Sequence, residues 1–106
     1  MTHDSVVLQI FANASDQSNG VPLYQGIVQL LKDSGISGVT VLKGIQGFGS
    51  SGVIHSATLF GATTALPIKI EVVENEGKLR PLLPKLLEMT GDNMITVRRV
   101  STRTSR

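Results

Sequence analysis

Gly38-Val39-Thr40-Val41-Leu42-Lys43-Gly44-Ile45-Gln46 runs directly into Gly47-Phe48-Gly49-Ser50-Ser51-Gly52. The first nine residues read as a strand, since apolar and β-branched residues are bounded by glycine. Gly44 inside it signals a bulge or a close approach by another group. The next six match G-x-G-x-x-G, the turn that brings backbone close to a pyrophosphate at a helix N-terminus. Glu71 follows Gly52 by 19 residues, near the distance at which such a fold places its ribose-binding acid. The following sequence decides against that reading. Residues 53–65 are mostly small and polar with no amphipathic face, so no helix begins there. The stretch is a strand that opens into a long loop, about residues 47–65, of a kind that is functional or mobile in a compact domain.

Working outward, Leu66-Pro67-Ile68-Lys69-Ile70-Glu71-Val72-Val73 reads as the next strand. Pro67 sits near its start, where a missing donor does least harm. Leu79, Leu82, Leu83, Leu86 and Leu87 recur at helical spacing and read as a core stripe. Pro81 and Pro84 confine or kink that helix, and Gly91 stops it. Met94-Ile95-Thr96-Val97-Arg98-Arg99-Val100 is the last strand, and residues 101–106 form a polar, basic tail. Upstream, Pro22 opens a helix whose Leu23, Ile27, Leu30 and Leu31 share one face. Gly35 ends it and lets Ile36 pack back on Leu31. Val6-Val7-Leu8-Gln9-Ile10-Phe11 is the first strand, with Val6, Leu8 and Ile10 on one face and Val7 and Phe11 on the other.

The order β-α-β-loop-β-α-β is the ferredoxin-like split motif, an α+β fold in one domain spanning residues 1–106. Two helices cover only one face of a four-stranded sheet. Val7, Phe11 and Val73 on the other face imply a homo-oligomer that buries it.

Composition narrows the function. The 106 residues carry a net charge of +2, 41% hydrophobic and only 4% aromatic residues, 11 glycines and no cysteine. A disulfide framework and a cysteine-ligated zinc site are excluded. No run approaches the roughly 18 apolar residues of a membrane span, and the start lacks a signal-peptide pattern. The expectation is a soluble cytoplasmic protein. A chain this short has little room for a private cleft.

Gly38-Val39-Thr40-Val41 followed by Gly47-Phe48-Gly49 and Gly52 resembles the PII signal-transduction proteins, in which a G-x-T-V strand runs into the G-F-G start of a mobile T-loop. The resemblance is closer to a PII-like family, domain of unknown function 190. Its P-L-Y helix start is matched by Pro22-Leu23-Tyr24 and its G-F-G-x-x-G-x-I-H loop by residues 47–55. Leu66-Pro67-Ile68 and Ile95-Thr96-Val97 match its later strands, so the likeness covers nearly the whole chain.

That resemblance implies a homotrimer of ferredoxin-like subunits with the sheets facing inward. It implies an adenine nucleotide between subunits, and a loop that responds to it and docks on a membrane transporter or enzyme. Carried over by residue, Thr40 contacts the adenine side. Gly47 and Gly49 supply backbone amides near the phosphates, Phe48 packs on adenine or anchors the loop, and Gly91 begins the phosphate-binding turn. Arg98, Arg99 or Arg103 reaches phosphate from the last strand or the tail, within its own chain or across the subunit boundary. The turn Thr90-Gly91-Asp92-Asn93 has a single glycine and no lysine, which favours ADP or AMP over ATP. No cofactor or metal is implied beyond that ligand. The other readings are a trimeric adaptor without nucleotide and a metal-responsive trimer resembling the CutA proteins.

His55 is the one internal histidine, a candidate for an effector or loop site or a backbone-bonded loop residue. The sequence has no cysteine nucleophile, H-E-x-x-H or G-x-S-x-G pattern, so no enzyme is expected. Glu71, Glu74 and Glu76 read as a solvated acidic strand end. From Asn93 onward lie four arginines and no acid, a pattern that could follow a nucleic acid. Phe11, Tyr24, Phe48 and Phe60 are the only aromatics, too few for a base-stacking platform, so no nucleic-acid partner is expected.

Overall fold

The computed structural model describes residues 2–57 and 65–105, with side chains from Asp4 onward. Residues 58–64 of the long loop and Arg106 lie outside the described residues. The chain runs through β1 (Thr2–Asn13), a short ribbon of β2 (Gln17–Ser18) and β3 (Val21–Pro22), α1 (Leu23–Asp33) and β4 (Val39–Lys43). A second ribbon, β5 (Gln46–Gly47) and β6 (His55–Ser56), precedes β7 (Pro67–Glu74). Then come α2 (Glu76–Leu79), a 3-10 turn (Arg80–Leu82), α3 (Leu83–Thr90) and β8 (Ile95–Arg103).

The four long strands form one sheet in the order β4-β7-β1-β8, antiparallel throughout. This is the ferredoxin-like arrangement that the element order demands. Its register stacks the apolar positions of β1 in rows: Ile10 faces Ile70 and Ile95, and Leu8 faces Val72 and Val97. Ile27 and Leu31 of α1 and Leu79 and Leu86 of the second helical segment close over those rows and are fully buried with them. Each such side chain contributes about 1.5–3 kcal/mol by leaving water.

Local chemistry sets the helix ends. At the end of α1 the Ile36 N–H donates to Leu31 O at 3.1 Å and the Gly35 N–H to Lys32 O at 3.2 Å, with Gly35 at φ +80°. These are the two bonds of a Schellman stop, and Ile36 is buried beside Leu31. Asn75 caps α2 by accepting from Gly77 N at 2.8 Å. Pro81 and Pro84 break the second helical segment into α2, the 3-10 turn and α3, since each lacks the donor that a continuous helix needs. The leucine stripe is narrower than its spacing suggests. Leu87 is 56% exposed, because the buried face passes through Leu79, Leu86 and Thr90 and leaves Leu87 on its rim.

Ser101, Thr102 and Arg103 continue β8 rather than forming a tail, because Thr2, His3 and Asp4 supply strand partners for them. β7 pairs with β1 only as far as Val6 and Glu74. Beyond that point β1 and β8 run on as a two-stranded arm.

The face turned away from the helices carries Phe11, Leu42 and Val73, all exposed. Its middle row is polar. Gln9 Nε2 donates to Glu71 Oε1 at 2.8 Å, the Thr96 hydroxyl donates to Gln9 Oε1 at 3.2 Å, and Thr40 stands opposite Glu71.

Glu74, at the end of β7, ties the α1–β4 loop to the start of α2. Its carboxylate accepts from Ser37 N and Ser37 Oγ, both at 3.2 Å, and from Asn75 N at 3.0 Å. Burial alone pushes the carboxyl up. The backbone donors of Asn75 and Ser37, the Lys78 ammonium and the Ser37 hydroxyl outweigh it and hold the group below its ordinary value of about 4.5. A carboxyl depressed in the folded state contributes stability that is present above its unfolded value and lost as pH falls through the lowered one. Glu74→Gln is therefore expected to flatten the acid limb of a stability-against-pH curve; an unchanged limb contradicts this. The two neighbouring leucines of α3 give a second check. Leu86→Ala is expected to cost about 2–5 kcal/mol in denaturant unfolding, and Leu87→Ala well under about 1 kcal/mol.

Candidate functional site

The site lies at the end of the sheet where β1 stops and β7 and β8 begin. One wall is built by Pro67. Its carbonyl accepts from Gly44 N at 2.7 Å, and its ring lies against the backbone of both Gly44 and Gly47. A Cβ at Gly44 would stand 2.7 Å from Pro67 Cγ, and one at Gly47 3.1 Å. Gly44, which falls between β4 and β5 rather than inside one strand, is thus a close approach and not an accident of composition. It seats the β5–β6 ribbon, in which Gln46 pairs with Ser56 and Gly47 with His55. Nearer the tip, Gly52 N donates to Gly49 O at 2.9 Å and closes a tight turn.

The opposite wall is the turn at residues 90–93. Asn93 N donates to Thr90 O at 3.0 Å, and Gly91 takes φ 57° and ψ −120°. That is the first central position of a type II′ turn, which glycine fills without strain. Asp16 fastens this turn to the rest of the fold. Its Oδ2 accepts from Asn93 Nδ2 at 3.1 Å and from Asn13 N at 2.9 Å, and its carbonyl accepts from Leu23 N at 2.7 Å. Phe11 N donates to Met94 O at 3.0 Å and completes the junction.

Between the walls lies a cavity of about 450 Å³. Gly47, Phe48 and Gly49 line it, and so do Asp92 and Asn93 of the turn that Gly91 shapes. His55 stands opposite Gly47 in the ribbon and outside the lining. The remaining residues singled out from the sequence lie elsewhere in this chain. Thr40 is on β4 opposite Glu71. Arg98, Arg99 and Arg103 lie along β8 opposite Val7, Val6 and Thr2. Arg99 approaches Glu76 at 3.7 Å, and Arg80 meets the same carboxylate at 2.7 Å. Those two arginines border a separate groove of about 630 Å³ between the β1–β8 arm and α2.

Sequence reasoning singled out the turn that carries Asp92 and Asn93, though only Gly91 in it by role, and missed Phe11 and Met94 as lining residues and Asp16 as the fastener. The one local signal was the turn sequence around Gly91. The meeting of Phe11 with Met94 is set by sheet register, which a single sequence does not display. Among the described residues, no group of three or more His, Cys, Asp or Glu is placed to hold a metal ion. No helix among them is long and apolar enough to cross a membrane.

The packing of Pro67 is testable. Gly44→Ala is expected to cost about 1–3 kcal/mol through overpacking, and Pro67→Ala made in the same chain is expected to recover most of that loss. A strictly additive double mutant would contradict the contact.

Comparison with known proteins agrees with this fold. A family model described as DUF190, Uncharacterized ACR, COG1993, matches residues 5–102. A UPF0166 protein of Methanocaldococcus jannaschii is 37% identical over 91 residues, covering 86% of this chain and 83% of that one. Among solved structures, the fold is similar to CPII, a nitrogen regulatory PII-like protein from Thiomonas intermedia K12. CPII bound to ADP, AMP and bicarbonate superposes with a TM-score of 0.68 at 16% identity, covering 100% of both chains. Its apo form gives 0.62 at 16% identity, covering 96% of this chain and 95% of that one.

Proposed function

Because the chain belongs to the DUF190 family of PII-like proteins, we propose that it is a non-enzymatic regulator that binds an adenine nucleotide, ADP or AMP in preference to ATP. The observation that carries this reading is the cavity between Gly47, Phe48 and Gly49 on one wall and the residue 90–93 turn on the other. Its support from outside the chain is the likeness of fold to CPII, which was solved with ADP and AMP.

The ligand lies at a subunit boundary of a homotrimer. Phe11, Leu42 and Val73 on the helix-free face give that assembly its apolar surface. Arg98, Arg99 or Arg103, too far along β8 to line the cavity of their own chain, serve a neighbouring copy. A guanidinium suits phosphate because its donors form a planar fork. The response follows from the hinge. The loop leaves the sheet through Gly47 and Gly49, so a ligand in the cavity binds one loop arrangement better than another and shifts the population toward it. The rearranged loop docks on a transporter or enzyme, and His55, paired to the loop base, is the residue placed to sense an effector there.

Isothermal calorimetry with ATP, ADP, AMP and cyclic AMP tests the reading. Saturable heat with ADP or AMP is expected; no heat with any nucleotide at concentrations suited to micromolar binding rejects it. Gly49→Val is a sharp variant, because a Cβ at Gly49 meets nothing within 4 Å. The fold is expected to keep its stability while ligand binding is lost. Light scattering is expected to return three chain masses, and one chain mass would remove the trimer.

A further inference from the structure

The floor of the cavity is the end of β1, where Phe11, Ala12 and Asn13 line it. The stretch from Phe11 to Asp16 holds both walls. Phe11 N donates to Met94 O at 3.0 Å, and Ala14 N donates to Leu66 O at 2.8 Å, next to Pro67. Those two holds are backbone bonds. The third is made by a side chain. Asp16 Oδ2 accepts from Asn93 Nδ2 at 3.1 Å and from Asn13 N at 2.9 Å. One carboxylate oxygen thus joins the floor to the residue 90–93 turn.

Asp16 does not line the cavity. Its main chain is anchored on its own: Asp16 N donates to Asn13 O at 3.0 Å, and the Asp16 carbonyl accepts from Leu23 N at 2.7 Å at the start of α1. Both bonds survive a change of side chain, so a substitution at Asp16 isolates the carboxylate. Asn93 is tied twice, by its backbone N to Thr90 O at 3.0 Å within the turn and by its side chain to Asp16 outside it. Without the carboxylate the turn keeps its internal bond and loses its side-chain tie to the floor. A carboxylate is the stronger kind of acceptor for such a tie. A site whose walls are held before the ligand arrives binds with a smaller ordering cost.

We infer that Asp16 is a positioning residue for the ligand: its carboxylate sets the residue 90–93 turn over the cavity floor and so raises affinity without touching the ligand. The inference rests on the nucleotide reading above. Its sign separates it from a simple effect of charge. The ligand is an anion, so removing a nearby carboxylate would by Coulomb repulsion alone tighten binding. Removing the clamp weakens it.

Calorimetry with ADP and AMP on the wild type, Asp16→Ala, Asp16→Asn, Asn93→Ala and the Asp16→Ala, Asn93→Ala double variant tests the role, with thermal unfolding as the control for folding. Asp16→Ala is expected to weaken both ligands about threefold to tenfold. Asp16→Asn keeps an acceptor oxygen in place and is expected to restore the affinity. Asn93→Ala has already lost the clamp, so adding Asp16→Ala should lower stability further through Asn13 N but cost no further affinity. A role in stability alone would lower the unfolding temperature and leave the affinity of the folded protein unchanged. Amide hydrogen exchange of the ligand-free protein reads the clamp without a nucleotide: Asn93 N should exchange faster in Asp16→Ala than in Asp16→Asn. Equal exchange in those two variants overturns the clamp, whatever the nucleotide result. The inference is also overturned if Asp16→Ala binds ADP as tightly as the wild type or more tightly. Asp16→Asn binding as weakly as Asp16→Ala overturns it too, as do affinity losses that simply add in the double variant. A wild type that binds neither nucleotide removes the nucleotide reading itself, and the role in affinity with it.

Discussion

The Pro67 ring lies against two glycine backbones, at Gly44 and Gly47, and this contact fixes where the long loop leaves the sheet. A proline at the start of β7 surrenders a backbone donor but keeps its carbonyl, which accepts from Gly44 N at 2.7 Å. With no side chain on either glycine, the β5–β6 ribbon settles onto the ring and becomes a wall. A methyl group at Gly44 would clash with the ring and unseat that wall, and the cavity is the gap between it and the residue 90–93 turn. Asp16 holds the other wall by joining Asn93, Asn13 and Leu23 N through one side chain and one carbonyl.

The second constraint is the shortage of helices. α1 and the α2–α3 segment cover one sheet face and bury its rows of isoleucine, leucine and valine. The other face keeps Phe11, Leu42 and Val73 exposed on either side of a polar row made by Thr40, Glu71, Gln9 and Thr96. Such a face suits association with copies of the same chain, since the hydrogen-bonded row fixes register while the apolar flanks supply area. It also carries Phe11, which lines the cavity.

Much of this was legible in the sequence where the cause is local. Gly35 with Ile36 announced the α1 stop, Pro81 and Pro84 a confined or kinked second helix, and Gly44 a bulge or a close approach. The alternating faces of β1 gave the layers and their imbalance. The order of elements gave the split motif, and Gly47, Phe48 and Gly49 marked one wall of the site. What stayed hidden depends on distant partners. The residues at 101–103 are strand only because Thr2, His3 and Asp4 pair with them. Leu87 is exposed because the packed face of α3 passes beside it. Asp16 looked like one polar residue in a polar run, and its role exists only where three segments meet. Arg98, Arg99 and Arg103 are close in sequence but alternate between sheet faces, which a reading by charge alone does not separate.

Titration of isotope-labelled protein with ADP, followed at the backbone amides, places the ligand directly. Gly47, Phe48, Gly49, Asp92 and Asn93 should carry the largest shift changes, in one saturable transition, because they line the cavity. Saturable ADP binding that leaves those five amides unmoved would contradict the site, wherever else in the chain the shifts appeared.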